Sequence, residues 1–323
     1  MPEIYDSFTD IANKFDVLLV DAYGVFWNGR AFYDGSREML ASQVDEGKKV
    51  IILSNTTALS PDAMASYAKK GLERGKHYTD FITSGDVAHN AFLNDNIEIS
   101  GHKIYMQGTP NFKIFENTPF TLTDFPEQAD AFYISVPQLT EEQAAEHDLY
   151  EKNLYRSPKG LFDSTAIEPF IPALKKMYRL GLPAINANPD LRASEKDEFG
   201  DVHFVIRQGS IAEAYRKMGG RVIEFGKPHS NIFDYARKTC NIPLTVSTAM
   251  IGDTYRTDIK GAQNSGISGV WCIETGITAE EISAGKTPEQ LCGGNFENTF
   301  LIKKLGTDLQ KNILMNKLSG KTY

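Results

Sequence analysis

The chain is poor in the features that mark whole classes of protein. It has only three cysteines in 323 residues, Cys240, Cys272 and Cys292, with no CxxC pair among them. Three scattered thiols cannot close a disulfide framework and lack zinc-site spacing, so buried thiols in a reducing compartment are expected. Apolar runs such as Val17–Val20 and Val50–Leu53 are short, far below the twenty or so residues that a membrane helix needs. The start, Met1-Pro2-Glu3-Ile4-Tyr5-Asp6, has neither a basic segment nor an apolar stretch, so no signal peptide is expected and the location is read as cytoplasmic. Basic residues are also outnumbered, 34 Lys and Arg against 42 Asp and Glu. A formal net charge of −8 argues against nucleic acid as a partner, because phosphate neutralisation demands many Lys and Arg. It leaves room for a small phosphorylated ligand, since a cation and a few local side chains can reverse the sign within one cleft.

What is present is an ordinary globular composition, 41% hydrophobic and 24% charged, long enough for two packed cores. Short aliphatic runs at Val17–Val20, Val50–Leu53, Phe81–Thr83, Arg221–Phe225, Ala249–Ile251 and Gly269–Ile273 read as buried parallel strands. Helical patterns at Ser36–Glu46 and Ser230–Cys240 fall between them. The alternation predicts an α/β fold, a Rossmann-like doubly wound parallel sheet. The middle breaks that rhythm with strand candidates Lys103–Met106 and Ala131–Ser135, a helix over Thr165–Arg179, and the segment Leu182–Asn186. It reads as a smaller α/β cap domain over 96–205, inserted into a core of residues 1–95 and 206–323. Pro110–Pro126 and Glu195–Asp201 read as exposed polar loops, and the tail carries an amphipathic pattern at Phe300, Leu301 and Leu305.

Four segments at strand ends carry the chemistry. In Val20-Asp21-Ala22-Tyr23-Gly24-Val25 a carboxylate follows an apolar strand, at the ligand-binding edge of such sheets. Asp21 there suits nucleophilic attack on phosphorus, although turn residues are common at strand ends. Leu53-Ser54-Asn55-Thr56 offers hydroxyl and amide donors to phosphoryl oxygens, or simply a helix cap. In Phe225-Gly226-Lys227-Pro228-His229 the ammonium could neutralise both a nucleophile and an incoming phosphate, although most lysines are solvated. The segment Ile251-Gly252-Asp253-Thr254-Tyr255-Arg256-Thr257-Asp258 presents two carboxylates suited to a hard cation, and is the most specific of the four.

The ordered set Asp21, Ser54, Lys227 and Asp253/Asp258 resembles the haloacid dehalogenase-like superfamily. The position of the insertion resembles subclass IIA with its C2-type cap, as do Asn186-Ala187-Asn188-Pro189-Asp190 and the downstream Gly209-Ser210-Ile211-Ala212. The resemblance implies a Mg²⁺-dependent phosphatase acting on a small phosphorylated metabolite (sugar, glycerol or nucleotide phosphate) through an aspartyl-phosphate. It implies Asp21 as nucleophile and metal ligand, and the backbone carbonyl of Tyr23 as a second ligand. Asp253 and Asp258 complete the metal site, and Lys227 stabilises charge. Ser54, Asn55 and Thr56 hold the transferring group, and the loop around Asn188 and Asp190 faces the leaving group; Arg192, close by in sequence, is a further candidate for selecting the substrate. It also implies a homodimer formed through the cap, although Phe132, Tyr133 and Ile134 read as cap core.

One position departs from the pattern. Superfamily phosphatases usually carry a second Asp two residues after the nucleophile, as general acid and base, and here that position is Tyr23. Such assistance is worth typically 10²–10⁴-fold, and a phenol of pKa near 10 is a poor base at neutral pH. Three readings follow. One is a phosphatase with a good leaving group or with another acid, such as His229. Another is a protein that binds phosphate and Mg²⁺ with little turnover. The third is a 2-haloacid dehalogenase, whose nucleophile loop Asp21-Ala22-Tyr23-Gly24 resembles but which needs no cation.

Overall fold

The computed structural model describes residues 2–146 and 153–307; the end of the expected 206–323 core segment lies outside the described residues. The chain divides into two compact units, one of residues 1–54, 60–82 and 227–323, the other of residues 55–59 and 83–226. The second unit is thus wider at both ends than 96–205.

The first unit is built on a seven-stranded sheet. From one edge its strands run Ile4–Ser7, Thr299–Lys304, Ser268–Cys272, Thr248–Gly252, Val17–Val20, Lys49–Ser54 and Asp80–Thr83. Val17–Val20 pairs parallel with Thr248–Gly252 on one side and with Lys49–Ser54 on the other. Leaving aside the edge strand Ile4–Ser7, the order in chain sequence is 3-2-1-4-5-6, the doubly wound order. Its switch point falls between Val17–Val20 and Thr248–Gly252, where ligands bind beyond the strands' carboxyl ends. The strands are apolar because both faces are covered: every residue of Val17–Val20 and Thr248–Gly252 is buried. Alternation along each strand separates two cores. Leu18, Val20, Ile52, Ile251 and Cys272 join a cluster with Phe8, Phe26 and Tyr67, while Trp271 and Leu301 join Ile259 and Cys292.

The second unit has its own five-stranded parallel sheet, in the order Val222–Glu224, Ala184–Asn186, Ala131–Ile134, Lys103–Gln107, Thr121–Thr123. Phe132, Tyr133 and Ile134 are wholly buried in it, as cap core should be. A three-stranded antiparallel sheet of Gln138–Leu139, Leu154–Arg156 and Phe162–Ser164 accompanies it.

Several expectations are corrected. The run 221–225 forms a strand, Val222–Glu224, but it pairs with Ala184–Asn186 in the second sheet; an apolar run does not declare which sheet will take it. Glu195–Asp201 is no plain loop: Arg192–Lys196 and Val202–Ile206 form an antiparallel hairpin, and Asp197 is buried where it caps the turn by accepting from the Phe199 and Asp201 N–H groups. The helix expected over 165–179 begins only at Ile171, after a 3-10 turn at Glu168–Phe170, because Pro169 and Pro172 favour helix starts and not interiors. The supposed loop at 110–126 contains a 3-10 turn at Phe112–Phe115 and the edge strand Thr121–Thr123. The tail pattern at 300–305 belongs to the strand Thr299–Lys304.

Candidate active site

Asp21 and Asp253 directly follow the two strands that flank the switch point. The Asp21 N–H donates to the Ile251 carbonyl at 2.9 Å, which carries the ladder one residue past the strand and fixes where the carboxylate begins. Gly24, at φ +78°, turns the chain back; a Cβ there would lie 2.2 Å from the Asp253 carboxyl carbon. Only glycine permits both the backbone angle and that approach. Gly252 does the same for Asp258, whose Cβ would be 2.1 Å from any side chain added there.

Lys227 ties two strand ends and the turn Tyr255–Ile259 together. Its Nζ lies 2.6 Å from Asp21 Oδ1 and 2.8 Å from Asp258 Oδ1, and donates to the Leu53 carbonyl at 2.8 Å. The side chain is 2% exposed, so this is an ammonium taken out of water and held by charge, not the solvated lysine that composition alone would favour. Asp253 and Asp258 are buried and Asp21 is half-buried. One oxygen from each of these three residues lies within 4.8 Å of the other two. Asp258 Oδ2 accepts from the Thr254 N–H at 3.0 Å. Asp258 Oδ1 meets the ammonium by distance, yet no donor is aligned on it for a hydrogen bond. Burial pushes the Asp253 carboxyl well above the usual range; the Asp258 and Asp21 charges add to the rise, while the Ile277 N–H and Lys227 oppose it.

That electrostatics defines a demand. With the three carboxylates ionised, one ammonium leaves two negative charges unbalanced in a buried place. An all-oxygen donor set of this kind suits a hard divalent cation, and thiol or imidazole ligands are absent from the cluster. The residues therefore fit such an ion.

Other candidates sit as follows. Ser54 is buried at the end of Lys49–Ser54, in the same row of strand termini as Asp21. Tyr23 is 42% exposed and bridges to Trp27 in its own loop. His229 is the residue before the helix Ser230–Thr239, and its side chain makes no capping bond. In the second unit Asn55 is buried and donates to Asp190 Oδ1 at 2.9 Å, while Thr56 Oγ1 accepts weakly from the Ala58 N–H. Asn188 is spent on the loop: its Oδ1 accepts from the Asp190 N–H and its Nδ2 donates to Gln208 Oε1. Arg192 is exposed on the hairpin. The structure thus gathers Asp21, Lys227, Asp253 and Asp258 into one cluster in the first unit, and in the second unit it joins Asn55 to Asp190, whose N–H is held by Asn188.

Sequence reasoning overlooked the segment after the strand Ser268–Cys272. There the helix Gly276–Ser283 opens with the Ile277 N–H donating to Asp253 Oδ2 at 2.6 Å. Gly276, at φ +62°, has no room for a Cβ, which would stand 2.0 Å from that same oxygen. The signal was a fifth strand-end loop, Ile273-Glu274-Thr275-Gly276, of the same build as the other four.

Comparison with known proteins relates the chain to haloacid dehalogenase-like hydrolases. A family model described as haloacid dehalogenase-like hydrolase matches residues 18–116, and a HAD-hydrolase-like model matches residues 224–294. Phosphoglycolate phosphatase 2 of Arabidopsis thaliana is 25% identical over 290 residues, covering 86% of this chain and 90% of the relative. Among solved structures, a haloacid dehalogenase-like family hydrolase from Brucella suis 1330 superposes with a TM-score of 0.68 at 21% identity, over 86% of this chain and 91% of that one. A glycerol phosphate phosphatase from Mycobacterium tuberculosis, solved with magnesium, gives a TM-score of 0.58 at 20% identity, over 93% of this chain and 77% of that one. The two structural likenesses are of fold.

Proposed function

The chain is a hydrolase of the haloacid dehalogenase-like superfamily, and on that premise we propose that it is a Mg²⁺-dependent phosphatase of small phosphorylated metabolites, working through an aspartyl-phosphate on Asp21. The observation that carries this reading is the Lys227 ammonium 2.6 Å from Asp21 beside a cluster of three carboxylates. A lone turn aspartate would have no use for a buried counter-ion and two acidic neighbours. The likeness to phosphatases supports the substrate class.

An Asp21 oxygen attacks phosphorus as the ester P–O bond breaks, and the departing alkoxide takes up a proton. Water then attacks phosphorus, releasing inorganic phosphate and regenerating the carboxylate. Lys227 orients Asp21 and offsets the charge brought in by phosphate. Asp21, Asp253 and Asp258 would hold Mg²⁺, with the Tyr23 carbonyl as a further ligand. When bound, the ion supplies charge neutralisation at the phosphoryl oxygens. Ser54 stands at the same edge as a donor to those oxygens. Tyr23, where a second Asp is customary, offers a phenol that can donate a proton but is a weak base.

The test is phosphate release from a panel of sugar phosphates, nucleotides and phosphoglycolate, with Mg²⁺ and with EDTA. Metal-dependent release that disappears in Asp21→Asn, with the fold intact by circular dichroism, is expected. Full activity in Asp21→Asn would refute the covalent route. Tight binding of phosphate analogues without turnover would favour a binding protein, and metal-free halide release from 2-haloacids a dehalogenase.

A further inference from the structure

The Asp253 main chain is gripped by groups that no ligand list would include. Its carbonyl accepts the Trp271 indole N–H at 3.1 Å and also the Thr278 hydroxyl. The same hydroxyl accepts from Trp271 Nε1 at 2.9 Å, so indole, hydroxyl and carbonyl close a small ring. Trp271 is wholly buried and Thr278 is 1% exposed. The register of the sheet places Trp271 beside Gly252, the residue before Asp253. Thr278 lies in the first turn of the helix whose Ile277 N–H donates to Asp253 Oδ2. The start of that helix is itself fixed, because the Gly276 N–H donates to the Tyr33 hydroxyl at 3.2 Å.

These contacts act at both ends of one residue. The ring pins the carbonyl, and the helix amide holds Oδ2, while one carboxylate oxygen of Asp253 lies within 4.8 Å of those of Asp21 and Asp258. Thr254 Oγ1 approaches Oδ1 only at 3.4 Å, a weak contact. A carboxylate whose carbonyl is pinned and whose Oδ2 is held by a helix amide is oriented before any ion arrives. A hydroxyl that only filled space in the core would have no need to donate to one carbonyl and accept from one indole, and Val would pack there as well as Thr.

We propose that Thr278 and Trp271 are positioning residues for the cation site, fixing the Asp253 main chain so that its carboxylate is held in place as a ligand. This rests on the divalent-cation reading given above. Outer groups that orient a ligand typically govern 10–100-fold in metal affinity or activity, so Thr278→Val and Trp271→Phe should each weaken the cation by at least about 10-fold.

The probe is Mn²⁺, counted as the free aqueous ion by electron paramagnetic resonance during titration of the full chain, with thermal melts in EDTA recorded alongside. Thr278→Val and Trp271→Phe should show the loss in Mn²⁺ affinity, and Thr278→Ser, which keeps the hydroxyl, should bind close to wild type. In phosphate release, raising Mg²⁺ should restore most of the kcat of Thr278→Val, because the defect lies in occupancy. Should Thr278→Val fail to fold, Trp271→Phe and Thr278→Ser carry the comparison. Wild-type Mn²⁺ affinity in folded Thr278→Val or Trp271→Phe, with binding lost in Asp253→Asn, would overturn the positioning role alone. Unchanged binding in Asp253→Asn would instead overturn the cation reading, and this proposal with it.

Discussion

Replacing Lys227 by Met removes the ammonium that faces the carboxylate cluster, with little change in side-chain length. The wild-type ammonium lies 2.6 and 2.8 Å from two carboxylate oxygens. At an effective dielectric of about 20, each contact is a gross attraction of roughly 6 kcal/mol. Much of that is cancelled by the several kcal/mol needed to desolvate a buried ammonium. What remains in the variant is repulsion: carboxylate oxygens within 4.8 Å of one another oppose each other by roughly 3 kcal/mol per pair at the same dielectric. Removing one partner from a buried pair typically costs about 3–5 kcal/mol, or a fall in melting temperature on the order of 10 °C for a unit of this size. Scanning calorimetry in EDTA at pH 7.5 measures it. The pH dependence adds a second handle. Asp253 has a raised carboxyl value when folded, so its favourable contribution is complete below the ordinary Asp value near 4 and is lost as pH rises through the folded value. The difference between Lys227→Met and wild type should therefore narrow at pH 5 and widen at pH 8. A saturating divalent cation should recover part of it, about 2.7 kcal/mol at a hundredfold excess over Kd. A variant that melts within a degree or two of wild type at pH 7.5 in EDTA would show that the cluster does not depend on this counter-ion, and the electrostatic reasoning would fail.

Other outcomes follow from single features. Gly24→Ala should lower stability by more than 1 kcal/mol in urea unfolding and weaken Mn²⁺ binding, since its Cβ would fall 2.2 Å from the Asp253 carboxyl carbon at a positive φ; a neutral result would mean that the loop relaxes freely. Tyr23→Asp should raise kcat for phosphate release by at least about 10-fold if the proton donor limits turnover, and its 42% exposure means that little packing is lost; no gain would place the donor elsewhere. The hydrogen bond from His203 holds the Asp197 carboxyl below its usual range. The hairpin Arg192–Ile206 should thus be secure above pH 4 and loosen as pH falls through the folded Asp197 value. Faster exchange of the Phe199 and Asp201 amides on acidification, absent in Asp197→Asn, would register it.

Much of the site was legible because its grammar is local. Asp21, Ser54 and Asp253 each follow a continuous apolar run, and a carboxylate or hydroxyl set after such a run must emerge at one edge of a parallel sheet. Lys227 was legible by type and position, but nothing in its neighbours foretold burial at 1% exposure, which depends on Asp258 and Leu53 arriving from distant segments. Trp271 and Thr278 were missed for the same reason: each resembles a core residue, and their polar atoms matter only because Asp253's carbonyl is there to receive them. In the second unit, Val222–Glu224 was legible as a strand and misplaced as to sheet, since partner choice belongs to tertiary packing. Asn188 shows what a motif leaves unsaid: its side chain also braces its own loop, accepting from the Asp190 N–H and donating to Gln208.

The doubly wound strand order has a price in time. Val17–Val20 gains one neighbour from Lys49–Ser54, but its other edge belongs to Thr248–Gly252, about 230 residues later in the chain. At roughly 5–20 residues per second of synthesis, that edge waits on the order of ten seconds or more with its amides and carbonyls unmatched, beside a wholly apolar face. Nascent chains arrested between these two strands are the ones in which misassociation should concentrate.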